Sequence, residues 1–545
     1  MVKFSIPAKK ENLEDALDLI QATLEKFKFK GEKLEKSLYA CQEELKFLIK
    51  HATEDAVIQI KMKKKYSTAT IKMSAAGTKY SDFDQNDKIL KNDKSPKGHA
   101  VQSLIKEAYA GNITYSHKNG VNQVKIFIGK KERLRAIQSL VSFGLSIVFC
   151  LLMDLLLSES AAIWCITYIF SPIQTLFLNA LKLITAPAVF FSVMTAVTKF
   201  GSVSDIGTIG KRSVAGHVVS GFLATVIGAA MFHIFKPTSG FEGDLSWLVN
   251  QSQANSQSLL DMISNGIPDN IVEPFLNVDA LQLLMFAILS GIALIKAGKE
   301  APILEDITSA LHKFFKTLVD IVTTIIPVAV FFITTLMIFT FGFVSLVGTL
   351  RIFLLVTLGF VVLILFSIIA VGIFGKMNPI TFIRKMLPHM KKVFWDGSSI
   401  SAIPATMKLC QEKFGVSKKV ESFTVPFGAI ADIDGNCLYL AMASLFLTQA
   451  CGIDPSSSNV IAAIVMIMIL SIGSAITPGS AMLALIVIMG QMGVSLIAVC
   501  LILGVNAFLE IFLAVSNNVR EVASTLIIAR KEKLINMDVY NDLTK

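Results

Sequence analysis

The chain has 545 residues, 53% of them hydrophobic and 17% charged, with a mean hydropathy of +0.61. A soluble globular chain carries nearer a quarter of charged residues, which disfavours a purely cytosolic enzyme. Residues 1–134 hold 26 Lys and Arg against 17 Asp and Glu and the remainder hold 25 against 24, so nearly all of the net +10 sits on a Lys-rich N-terminal quarter. The split reads as a soluble domain fused to a polytopic membrane domain.

The N-terminal quarter reads as mixed α and β. Leu13, Ala16, Leu17, Ile20, Leu24 and Phe27 recur at helical spacing, and Leu38, Cys41, Leu45, Leu48 and Ile49 do so again. Alternating runs at 56–62 and 67–73 predict two strands. A helix is expected near 99–110, then strands 112–118 and 121–128 around Asn119-Gly120, a hairpin signal. The start of the chain has no short apolar stretch with a cleavage site, so no leader is expected to be removed. The basic run 61–65 has no interleaved aromatics, which argues for a solvated strand end near anionic lipid and against nucleic acid. Seven scattered cysteines show no metal or disulfide spacing.

From Ala136 the chain becomes a series of bilayer-scale apolar segments, near 136–157, 173–198, 214–235, 278–297, 317–341, 350–375, 421–449 and 494–517. Each is close to the ~20 residues that cross hydrocarbon. Two further stretches, 393–410 and 461–492, are broken by Pro404 and by 471-SIGSAITPGS-480, and read as re-entrant hairpins (about 385–416 and 461–492). The expected architecture is therefore eight transmembrane helices plus two hairpins (135–530), an N-terminal α/β sandwich domain (1–134) and a C-terminal tail (531–545). Lys130-Lys131, Lys211-Arg212, Lys296, Lys391-Lys392, Lys418-Lys419 and Arg530-Lys531 fall on alternate ends, while loop 237–277 has five acids and no Lys or Arg. The positive-inside rule then places both termini in the cytoplasm of a cell-membrane protein.

Carboxylates interrupt the apolar body. Asp432, Asp434 and Asn436 surround Gly435 in one span. Glu510, Asn517 and Glu521 follow at i, i+7 and i+11 near the last, which stacks them on one helical face over ~16 Å. Four carboxylates at membrane depth cost roughly 2.5–3.5 kcal/mol each on insertion scales. Arg520 falls off that face and is expected at the cytoplasmic headgroups, with an inward swing as the alternative. The carboxylates therefore imply bound cations or protons.

Two resemblances follow. Residues 35–130, with 43-EELKFLIKHA-52 and 74-SAAGT-78, resemble the histidine-kinase-type ATPase fold, but that family's metal-binding Asn falls at Phe47 and its adenine-reading Asp at Ser74. ATP hydrolysis is not expected and ATP binding is disfavoured; a regulatory or docking role is preferred. Residues 136–530 resemble the dicarboxylate/amino acid:cation symporter family, the glutamate-transporter fold. The motifs are 182-KLITAPAVFFSVMTAV-197, 280-ALQLLMFAILSGIAL-294, 398-SSISAIPATM-407, 423-FTVPFGAIADIDGNCLY-439 and 471-SIGSAITPGSAML-483. The resemblance implies alternating access, a homotrimer, a small organic substrate and a coupling sodium ion or proton, with no cofactor and no enzymatic activity. It assigns substrate contacts to Gly397, Ser399, Asn436, Thr477, Glu510, Leu513 and Asn517. Cation or proton contacts go to His217, Ser220, Gly428, Asp432, Asp434, Ser471, Ile472, Ser474, Asn517 and Glu521.

The departures set the expected specificity. Asp432 and Asn436 stand where the family's unwound span has Asn and Thr, and Leu513 stands where an Arg clamps a side-chain carboxylate. Glu510 and Asn517 still offer partners for an amine and a carboxylate, so a neutral amino acid is expected over glutamate, aspartate or succinate. Added carboxylates near His217 suggest proton coupling. His217 alone reads more simply as a hydrogen-bonded interior histidine. The alternatives are a dicarboxylate symporter and a transporter-like receptor signalling through the N-terminal domain.

Overall fold

In the computed structural model of the chain, the described residues are 2–27, 29, 32–53, 56–65, 68–78, 113–128, 131–203, 207–238, 266–277, 279–297, 300–301, 303–431, 433–453, 457–474 and 480–543.

The N-terminal unit is a sheet with two helices. Helices α1 (Leu13–Lys26) and α2 (Glu32–His51) pack with strands β1 (Val2–Pro7), β2 (Val57–Lys65), β3 (Thr68–Ala76), β4 (Ile113–Lys118) and β5 (Val121–Ile128). The sheet is antiparallel throughout, in the order β1-β2-β3-β5-β4. Alternation decides its faces. Ile58, Ile60 and Met62 of β2 and Ile71 and Met73 of β3 are buried in one core with Ile20, Leu24, Leu45 and Leu48 of the helices, as expected of a half-solvated antiparallel sheet. The hairpin turn has Asn119 and Gly120 both at positive φ, the geometry that matches strand twist. Strand β1 was not anticipated by the sequence pattern, and the helix expected near 99–110 lies outside the described residues. The Phe47 ring lies tilted against that of His51, and Ser74 sits within the β3 ladder opposite Gln59 and Gln123. A Cβ on Gly77 would lie 2.1 Å from the His51 carbonyl, so only glycine lets the end of α2 meet the end of β3.

The second unit is helical: α3 (Lys131–Leu156), α4 (Ser171–Val203), α5 (Thr208–Phe235), α6 (Ala280–Ala297), α7 (Ile303–Thr324), α8 (Ile326–Phe341), α9 (Val344–Ile373) and α10 (Pro379–Asp396). Next along the chain is α11 (Ser399–Lys408), of which Ile400–Lys408 is not grouped with this unit; within it follow α12 (Lys418–Ala431), α13 (Ile433–Ala450), α14 (Ser457–Ser474), α15 (Ser480–Gln491), α16 (Cys500–Lys531) and α17 (Met537–Asn541). Among the described residues six helical stretches are long and apolar enough to cross a membrane, and seven if α7 and α8, bent by 53°, form one span. The expected segment at 278–297 is present as α6, too short to pass that criterion. Two boundaries move. The helix expected from 173 is preceded by Glu159–Cys165 and a π turn, and the last apolar segment, read as 494–517, lies in a helix that runs on to Lys531. Beyond Asn517 the pattern stays amphipathic, and Val519, Val522, Ala523 and Leu526 are buried.

Glycine lets α5 and α13 approach closely: a Cβ at Gly221 would lie 2.5 Å from Ile433 Cγ2, and one at Gly228 3.0 Å from the Leu438 carbonyl. Gly397, at φ +68, ends α10 immediately before α11. Helices α14 and α15 flank residues 475–479, which are outside the described set, and pack on each other. The C-terminal residues are not a free tail. Asn536 N–H donates to the Gly415 carbonyl, Ser417 N–H to that of Leu534, and the buried Tyr540 donates its hydroxyl to the Asn378 carbonyl at 2.8 Å. Phe414 packs between Phe382 and Tyr540.

Candidate functional site

Four helices converge on the polar positions. Helix α12 ends and α13 begins around residue 432, so Asp434 and Gly435 lie in the first turn of α13, where the positive end of the helix favours a carboxylate. Asp434 is buried. Its Oδ1 accepts from the Ser220 hydroxyl of α5 at 2.8 Å and its Oδ2 from Arg520 Nε of α16 at 2.9 Å. Arg520 Nη2 also donates to the Gly216 carbonyl at 3.1 Å. This corrects the headgroup expectation for Arg520. Because α16 does not end near 517, residue 520 stays at the level of the α5–α13 crossing, and its side chain is 14% exposed.

One turn away, Asn517 Oδ1 accepts the Gly435 N–H at 2.6 Å. A Cβ at Gly435 would lie 2.6 Å from that oxygen and 3.1 Å from Leu513 Cγ, so the residue must be glycine for α13 to seat on α16. The same holds at Gly428, where a Cβ would lie 2.8 Å from Glu521 Cγ and 3.4 Å from His217 Nε2. His217 Nδ1 donates to the Ser213 carbonyl at 2.8 Å, and its ring stands edge-on to Phe427. It is a hydrogen-bonded interior histidine whose other nitrogen faces Gly428. Glu521 is buried and accepts from Asn518 Nδ2 at 3.4 Å.

Toward the start of α16, Glu510 accepts from Asn506 Nδ2 at 3.1 Å, and Asn506 Oδ1 accepts the Tyr439 hydroxyl at 2.6 Å. Asn506 and Tyr439 were missed in the sequence. The available signal was the four-residue spacing of Asn506 and Glu510, one turn apart on one face. Glu421, buried near the start of α12, was also missed.

The structure therefore brings together His217, Ser220, Gly428, Asp434, Leu513, Asn517 and Glu521, with Glu510 two turns before Asn517 on α16. Asn436 is buried in α13, Ser471 in α14 and Ser399 at the start of α11, while Gly397 lies beside Ile511 of α16. Asp432 and Thr477 lie outside the described residues, and the side chains of Ile472 and Ser474 are not described. Among the described residues no cluster of His, Cys, Asp and Glu suits a resident metal, and all seven cysteines are unpaired.

A multi-pass helical bundle with carboxylates buried at glycine-lined helix crossings is the architecture of a membrane transporter. The sequence pattern of the sodium:dicarboxylate symporter family matches residues 137–531, and the chain belongs to that family. It is similar to the C4-dicarboxylate transport protein of Bacillus subtilis (strain 168), 28% identical over 372 residues that cover 66% of this chain and 87% of the relative. The proton/sodium-glutamate symport protein of the same organism is 28% identical over 382 residues, covering 68% and 87%. The C4-dicarboxylate transport protein 1 of Ralstonia nicotianae is 28% identical over 357 residues, covering 64% and 82%.

Proposed function

We propose that this chain is a cation-coupled symporter of a small neutral amino acid, working by alternating access through eight spans and two re-entrant hairpins. The observation that carries the substrate class is the apolar Leu513 between Glu510 and Asn517 on α16, with Arg520 already engaged by Asp434. With Oδ1 held by the Gly435 N–H at 2.6 Å, the other end of the amide is the donor end, suited to a substrate carboxylate. Glu510, about 10 Å earlier on the same helix, is the partner for an amine. Between them stands Leu513, which offers no charge to a second carboxylate. Arg520 does not substitute for a clamp at that position, because Asp434 and the Gly216 carbonyl already engage it. A buried carboxylate without a cationic partner typically costs about 3–5 kcal/mol, hundreds-fold or more in affinity.

The names of the relatives favour the second reading, a dicarboxylate or acidic amino acid. Uptake into proteoliposomes separates the two. Saturable uptake of neutral amino acids with poor uptake of aspartate and succinate supports the first, and the reverse pattern establishes the second. Imposing a sodium gradient and a proton gradient separately identifies the coupling ion. The Arg520–Asp434 pair weakens the case for obligatory proton coupling, since one of the crowded carboxylates already has a permanent counter-charge.

The N-terminal unit is proposed as a cytoplasmic accessory domain that does not hydrolyse ATP. Full uptake by a chain lacking residues 1–130 would support the accessory role, and magnesium-dependent ATP turnover by the purified protein would refute the second part. Ligand binding without uptake in every form of the chain would favour a transporter-like receptor. The homotrimer implied by the family resemblance is checked by native mass spectrometry.

A further inference from the structure

Asp434 is held by a set of groups that resembles an ion site. Its carboxylate, the Ser220 hydroxyl and the Gly216 carbonyl are hard oxygen ligands contributed by α13 and α5. Such oxygens suit an alkali or other hard cation. The positive charge among them is a guanidinium. Arg520 Nε lies 2.9 Å from Asp434 Oδ2 and Nη2 lies 3.1 Å from the Gly216 carbonyl. The carboxylate side chain is 6% exposed, so water screens this pair little. An arginine does not deprotonate in proteins, so the charge is permanent. A mobile cation entering beside it would meet a like charge at contact distance in a medium of low dielectric.

We propose that Arg520 is a tethered cation that takes the place of a coupling ion at Asp434, so that Asp434 binds no mobile ion while Arg520 is present. The inference rests on the cation-coupled reading above and deepens it: the chain moves one ion fewer per cycle than the number of its buried carboxylates suggests. Arg520 is carried on α16 and stays with the protein in every state, so it supplies neutrality at Asp434 without drawing on an ion gradient. The coupling ion is left to the remaining carboxylates, among them Glu521, which like His217 Nε2 lies against Gly428.

The test counts bound sodium, the only probe needed, on the full-length protein in lipid nanodiscs at alkaline pH, where a lone carboxylate is ionised. Arg520→Gln is expected to bind one more sodium ion per chain than the wild type. Adding Asp434→Asn to that variant is expected to remove the extra ion. An unchanged or lower count in a monodisperse Arg520→Gln protein overturns the proposal, as does a gain that survives Asp434→Asn. Should Arg520→Gln fold only with a counter-ion, its recovery in sodium chloride but not in choline chloride reads the same result, and recovery in neither salt overturns it. The increment between variant and wild type tests Arg520. A wild type that binds no cation and takes up no substrate would instead refute cation-coupled symport, so the two failures are distinct.

Discussion

Gly435→Ala is the sharpest perturbation of the candidate site. The new methyl would sit 2.6 Å from Asn517 Oδ1 and 3.1 Å from Leu513 Cγ, so the asparagine must retreat by roughly 0.5–1 Å to reach ordinary contact. Overpacking of this kind costs about 1–3 kcal/mol, and stretching the buried Gly435–Asn517 hydrogen bond adds about 1 kcal/mol. The expected loss is about 2–4 kcal/mol of stability. If Asn517 also donates to a substrate carboxylate, a bond worth about 1.5–3 kcal/mol, apparent affinity falls about ten- to a hundred-fold. Gly359→Ala is the comparison. Its methyl would meet Leu438 Cδ2 at 2.8 Å and Met442 Cε at 2.9 Å, both ends of flexible side chains, so it is expected to cost less. Thermal unfolding of the purified protein and the KM for uptake read the two effects. In the Asn517→Ala background the penalty of Gly435→Ala should shrink, because the clashing oxygen is gone. A Gly435→Ala protein with wild-type melting temperature and KM would refute the reasoning.

Further outcomes follow from the packing. Breaking the buried Arg520–Asp434 pair by Asp434→Asn alone should destabilise by about 3–5 kcal/mol, and neutralising both partners should cost less; a larger loss in the double variant, by thermal unfolding, would contradict the pairing. Tyr540→Phe, which loses the hydroxyl bond to the Asn378 carbonyl, should cost about 1 kcal/mol, and Tyr540→Ala about 3–5 kcal/mol; a wild-type melting temperature for Tyr540→Ala would show that the C-terminus is not anchored. Glu421 is buried with one carboxylate oxygen lacking a hydrogen-bond partner among the described residues, so Glu421→Gln should leave stability unchanged or raise it by about 1 kcal/mol, checked by the melting temperature. Burial pushes the Cys41 thiol well above its ordinary pKa, so Cys41 should resist maleimide in the folded protein and react only after unfolding, which mass spectrometry of the labelled peptide reports.

Local periodicity carries far in this chain. Apolar residues at helical spacing marked α1 and α2, alternation marked β2, β3 and β5, and Asn119-Gly120 marked the turn between β4 and β5. These features depend on neighbours within one or two turns, so they are written directly into the order of residues. The first strand escaped because Val2–Pro7 is half exposed at a sheet edge, where only pairing with β2 makes six residues a strand. Glu510, Asn517 and Glu521 all lie in α16, where a helix turning by a fixed angle per residue sets them on one face.

What the sequence by itself determined was a Lys-rich α/β unit ahead of an apolar bundle, the family, and the polar positions inside that bundle. Tertiary structure decided which of those positions meet. Arg520 looked like a headgroup anchor because the apolar stretch ends near 517, yet α16 continues for fourteen residues beyond that point, buried against α12. Hydropathy reports only whether a segment prefers lipid to water. It does not report that α13 supplies a carboxylate and α5 a carbonyl to receive a guanidinium. Likewise Tyr439, Asn506 and Glu510 form a chain only because α13 and α16 cross there, and Gly435 and Gly428 matter only through what lies within 3 Å of their missing Cβ atoms. Partnership between residues far apart in the chain is a property of packing, and packing is set by all the helices together.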